Sequence, residues 1–129
     1  MAKYTFLKTS EVVTPSDTSE TALTTVERGS GNYGIFVISS LSLDGSTDWV
    51  VKCEISYDKS TWIKLRYPDD SAEWSRTYSG DISNPRIVAI YDASNNSYIP
   101  IPAPYFRLTV TLTTFSGSPT LTLQQGVIE

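Results

Sequence analysis

Fourteen acidic side chains and no histidine bound the chemistry open to this chain of 129 residues. Two carboxylates about 5–10 Å apart in a cleft can hydrolyse a glycoside. With that many acids some pair meets the spacing by chance, and no pair is marked out by its neighbours. The absence of histidine removes Ser–His and Cys–His catalysis, histidine metal ligation and histidine pH sensing together. One cysteine, Cys53, permits neither an internal disulfide nor a cysteine-based zinc cage. In "LDGSTDW", Asp44, Ser46 and Asp48 stand at alternate positions like the start of a calcium loop, but the later Gly and Glu of an EF-hand are missing. That stretch reads as a Gly-containing hairpin turn. A calcium site gathered from several loops stays open, because Asp69, Asp70, Asp81 and Asp92 also fall in expected loops. No catalytic residue, metal ligand or cofactor is assigned, and the chain is not expected to be an enzyme.

The stretch Ser56–Trp62, "SYDKSTW", is close to the Asp box of sialidase-type propellers, S-x-D-x-G-x-T-W. It is one residue short, occurs once, and has Ser60 where the glycine could stand. It reads as a β-hairpin turn in which the Asp58 carboxylate accepts a backbone N–H two residues on. The register follows from parity. Cys53, Ile55 and Tyr57 should share a face with Ile63, Leu65 and Tyr67, so paired positions sum to an even number and the loop has odd length. Three residues fit best, either Asp58–Ser60 or Lys59–Thr61, and the second register sets Glu54 opposite Arg66. In both, Trp62 falls on the polar face with Lys64 and Arg66, where a large aromatic needs cover.

Three Trp and eight Tyr could serve as a sugar-stacking platform or a protein interface. Trp49 and Tyr57 belong to the core by parity. Trp62, Trp74 and Tyr78 form the expected surface set and are the candidate interface residues. The net charge of −4 argues against nucleic acid as a partner and against adhesion to an anionic membrane. No apolar run is long enough for a membrane-spanning helix. The opening "MAKYTFLKTS" lacks the apolar core and cleavage site of a secretion signal, so the chain is expected to be made and used without Sec export.

The elements that must position these residues are strands. Ser and Thr make up about a quarter of the chain, and apolar residues alternate with period two between turn signals. Strands are expected near 3–8, 22–28, 33–43, 48–57, 62–67, 86–91, 97–101, 105–114 and 119–128. Trp49, Val51, Cys53, Ile55 and Tyr57 should face the core, with Lys52, Glu54 and Ser56 opposite. Phe106, Leu108, Val110 and Leu112 should face it from another strand, with Arg107, Thr109 and Thr111 opposite. The middle of 33–43 is apolar on both faces, as in a covered central strand. Residues 68–85 read as a surface excursion with an edge strand around Trp74–Tyr78. The expected fold is all-β: a two-sheet antiparallel β-sandwich, jelly-roll-like, of about eight strands. It forms one domain over 1–129, in which residues 1–32 are an N-terminal arm or strands suited to assembly.

The segments "GIFVISSLSL", "VVKCEISYDKSTWIKL" and "IPAPYFRLTVTLTTFSGSPTLTLQ" together resemble small tailed-bacteriophage virion proteins with a β-sandwich fold, over most of residues 33–124. The resemblance implies a structural role and brings no catalytic residues. It implies a capsid decoration (cement) protein on the capsid exterior, binding the major capsid protein or other virion proteins, and a homo-oligomer of closed symmetry. The alternative is a tail, collar or baseplate component, or a carbohydrate-binding module.

Overall fold

The computed structural model describes residues 4–6 and 9–129. Two antiparallel sheets pack face to face. In the first, β13 (Thr120–Ile128) pairs with β5 (Tyr33–Ser42), and β5 pairs with β9 (Arg86–Ala89) at one edge. β1 (Tyr4–Phe6) and β2 (Glu11–Val13) share the other edge, both on β13. In the second, β12 (Tyr105–Thr114) pairs with β6 (Thr47–Ser56). One edge is shared by β3 (Thr21–Ala22) and β4 (Val26–Glu27), the other by β7 (Ile63–Lys64) and β8 (Ser75–Tyr78). β10 (Tyr91–Asp92) and β11 (Ser97–Tyr98) make a separate hairpin.

Counting each divided edge as one strand gives eight positions. The first pairs the eighth, the second the seventh and the fourth the fifth. The third and sixth, β5 and β9, pair and complete the nest. This nesting of a long ribbon rolled into two sheets is the jelly roll. The described part of the N-terminal segment supplies the first two strand positions. Of the strand expected at 3–8, Tyr4–Phe6 is observed, and residues 3, 7 and 8 lie outside the described residues.

Alternation fills the core as expected. Trp49, Val51 and Cys53 meet Phe106, Leu108, Val110 and Leu112 from one side and Phe36, Ile38, Leu121 and Leu123 from the other. The face of β6 outruns the core: Ile55 is half-buried, and Tyr57 and Ile63 are exposed beyond it. Ser56, expected outside, is buried because its hydroxyl accepts the Lys59 N–H of the turn. A bulge in β5, where Ile38 pairs Leu123 and Ser40 pairs Thr122, shifts the core parity from Phe36 and Ile38 to Leu41.

A fully buried polar side chain lies between the sheets. Gln125 is fully buried; its Oε1 accepts the Leu108 N–H at 2.6 Å and its Nε2 donates to the Thr24 carbonyl at 2.7 Å. The edge beside β12 breaks between Ala22 and Val26, and the Gln125 amide satisfies the N–H left over.

The expected hairpin at Asp44–Ser46 is a corner instead, since β5 and β6 belong to different sheets. It runs beside the corner from β12 to β13: Ser46 Oγ donates to the Ser116 carbonyl at 2.7 Å, and Asp44 accepts the Ser118 N–H. Gly117 lies between them at φ +65, where a Cβ would come within 2.3 Å of the Asp44 carbonyl oxygen.

Candidate functional site

The three nominated aromatics do not converge. Trp62 lies off the core face, as parity requires: it is half-buried, with the Arg107 guanidinium 4.0 Å above its ring. Glu54 pairs Lys64 and Ile55 pairs Ile63, which keeps the even sum but selects the Asp58–Ser60 register, so Glu54 does not face Arg66. Asp58 accepts the N–H groups of Ser60 and Thr61, both at 2.9 Å, and these bonds hold its carboxyl below the usual range.

Trp74 and Tyr78 correct the expectation of a surface set. They are only 2% and 8% exposed. β8 pairs β6 with Tyr78 opposite Trp49 and Arg76 opposite Val51, so Trp74, Arg76 and Tyr78 all stand on the inner side. Trp74 packs edge-on against Phe36 and donates its indole N–H to the Tyr91 carbonyl at 3.2 Å. Arg76 between the two aromatics concealed the alternation in a polar stretch.

The outer face of the second sheet is a charge network. Lys64 Nζ lies 2.6 Å from Glu20 and 3.1 Å from Glu54, and Arg107 Nε donates to the other Glu54 oxygen at 2.9 Å. Lys52 pairs with Glu73 at 2.7 Å. Burial pushes the Glu20 carboxyl up, but hydrogen bonds from Lys64 and Thr109 outweigh it and leave it below the usual range. Burial likewise pulls Lys64 down, and its bonds to Glu20 and Glu54 more than reverse this. Each of these six charges meets one of opposite sign.

The outer face of the first sheet is different. Its cross-strand rows read Tyr4, Ile128 and Tyr33; then Phe6, Gly126, Ile35 and Ala89; then Gln124, Val37 and Ile87; then Val12, Thr122 and Ser40. Among the described residues of these five strands, no charged side chain stands on this face. Ile35 and Ile128 are buried on it, partly by Phe6: a Cβ on Gly126 would come within 2.7 Å of the Phe6 ring. Tyr4, Val12 and Ile87 are exposed at 52%, 64% and 62%. Tyr33 continues the patch to Tyr98, ring centroids 5.2 Å apart, and Tyr98 meets Tyr91 edge-on. The signal that could have found this face was the two-sided apolarity of β5, which reads equally as a central strand or as a strand whose outer side awaits a partner.

The remaining candidates for chemistry stay apart. Among the described residues no three acids or cysteines come close enough to hold a metal ion. Asp69 and Asp92 line one shallow cleft, but each accepts backbone N–H bonds of its own turn. Cys53 is wholly buried, which pushes its thiol far up and leaves it unreactive. Comparison with protein-family models, curated proteins and solved structures finds no match.

Proposed function

We propose that this chain is a non-enzymatic virion structural protein of a tailed bacteriophage, a capsid decoration protein that docks on the shell through the outer face of its first sheet. The observation that carries the reading is the uncharged face, with Val12, Ile87, Tyr4 and Tyr98 exposed on it. Contiguous exposed apolar surface marks interaction sites, and the centres of protein interfaces are depleted in charge and enriched in aromatics. A standard interface buries about 1,200–2,000 Å² in total, and many copies on one shell add avidity. The acidic remainder of the surface suits a part that faces solvent rather than packaged DNA. Jelly rolls serve viral capsids and lectins alike, so the fold supports the reading only by analogy.

A second reading, a glycan-binding module on the same particle, draws on the Tyr33, Tyr98 and Tyr91 cluster, whose rings could stack on sugar. Quantitative mass spectrometry of purified particles tests the proposal: hundreds of copies support decoration. A few copies support a tail, collar or baseplate part, and absence removes every virion role. Polysaccharide pull-down abolished by Tyr98→Ala would favour the glycan reading.

A further inference from the structure

We propose that a cleft at the open side of the sandwich, between the edge strands β8 and β9, binds a carboxylate, held by Arg86 and the Tyr78 hydroxyl in the cleft and by Arg76 beside it. The cleft has a volume of about 230 Å³, and its walls include Thr77, Tyr78, Ser79, Gly80 and Arg86. The site is independent of the docking face, which looks outward from the first sheet.

Three observations meet here. The Tyr78 hydroxyl is buried and has no hydrogen-bond partner, a state that costs about 1–3 kcal/mol and calls for an explanation. Arg76 stands on β8 opposite Val51 and Arg86 on β9 opposite Ile38, both in core-side register yet exposed at the sheet edges, so the two flank this opening from different sheets. The Arg76 guanidinium lies 5.8 Å above the Tyr78 ring. Every other cationic side chain among the described residues has a carboxylate or carbonyl partner: Lys52, Lys59, Lys64, Arg66 and Arg107 meet acids, and Arg28 meets the Ala103 carbonyl. Arg76 and Arg86 have neither. Burial pushes the Tyr78 phenol up, while the charges of Arg76 and Arg86 and the approach of the Arg76 guanidinium to the hydroxyl draw it back; Arg86 lines the same cleft as Tyr78.

Two guanidiniums and one O–H donor match the planar oxygens of a carboxylate. Asp81 stands on the same wall with Oδ1 accepting the Leu43 N–H. Its charge and the net charge of −4 disfavour a dianionic phosphate. Arg76 packs over the Tyr78 ring and the hydroxyl is buried, so binding requires Arg76 to lift. Inward arginines on edge strands also deter strand-to-strand aggregation, and that role alone would leave no binding site.

The test is an NMR titration of the full chain with sodium acetate, observing the Arg76 and Arg86 Nε–H resonances, with sodium chloride and sodium phosphate as the other arms. Acetate is expected to give a saturating shift at both arginines, weakened about tenfold by Tyr78→Phe and abolished by Arg86→Gln. Tyr78→Phe should fold as well as the parent, since the hydroxyl it removes has no partner. A shift that rises linearly, matches chloride and ignores Tyr78→Phe overturns the proposal. So does tighter binding of phosphate than of acetate.

Discussion

The outer faces of the two sheets are built on the same pleat yet meet solvent in opposite ways. On the second sheet Glu54 serves Lys64 and Arg107 at once, Glu20 shares Lys64, and Lys52 pairs with Glu73. On the first, the matching positions hold Tyr4, Val12, Val37, Ile87, Thr122 and Gln124, with no ion pair to lose. The difference teaches that a sandwich can complete its core and still leave one surface suited to a second molecule. Polar partners close the charged face within the chain, while apolar contact on the other is only partly closed, by Phe6 over Gly126.

The largest expected effect concerns a residue that belongs to neither face. Trp74→Ala should lower stability by about 3–5 kcal/mol in urea unfolding, the range for emptying a core aromatic site; a change within about 0.5 kcal/mol would mark it as surface. Next, Glu54→Ala strips Lys64 and Arg107 of a shared partner and should cost about 1.5–3 kcal/mol, whereas Thr122→Ala on the uncharged face should stay within about 0.5 kcal/mol. Equal costs would erase the contrast between the faces.

Of the two outer faces, the charged one carries the shifted groups. Glu20 is lowered from 4.5, so its stabilisation is complete above that value and is lost as pH falls through the lower folded value. Lys64 is raised from 10.5, so its contribution is complete below that value and is lost as pH rises through the higher folded one. Lys64→Met should flatten both the acid and the alkaline arm of the urea midpoint against pH. An unchanged profile would show that the network does not hold in solution. Smallest, Trp62→Ala should cost about 1 kcal/mol through the lost stacking with Arg107, with docking unaffected.

Much of this was legible from alternation. The core faces of β12 and of β6 up to Cys53, the odd hairpin loop and the position of Trp62 follow from period two, and the Asp58 turn from the carboxylate's reach to nearby N–H groups. What stayed hidden has physical causes. Trp74 and Tyr78 lie inside because β8 pairs β6, and no local pattern announces which strand an edge strand will join. The corner at Asp44–Ser46 resembles a hairpin in sequence, since a Gly-containing turn serves either connection. β2 is three residues long and its alternation too brief to read. The uncharged face was visible as Ile35 and Val37 beside Phe36 and Ile38, but whether cover comes from within the chain or from a partner depends on where β1 lies.

The most direct test places one lysine on each outer face and measures particle occupancy. Ile87→Lys and Thr113→Lys both substitute exposed strand positions, on the first and second sheets respectively, and both should fold with stability within about 0.5 kcal/mol of the parent. Bound copies per purified particle are then counted by quantitative mass spectrometry. Docking through the uncharged face predicts that Ile87→Lys lowers occupancy at least about tenfold, by burying an unpaired charge, while Thr113→Lys leaves it unchanged. Full occupancy with Ile87→Lys, or loss only with Thr113→Lys, would contradict the account.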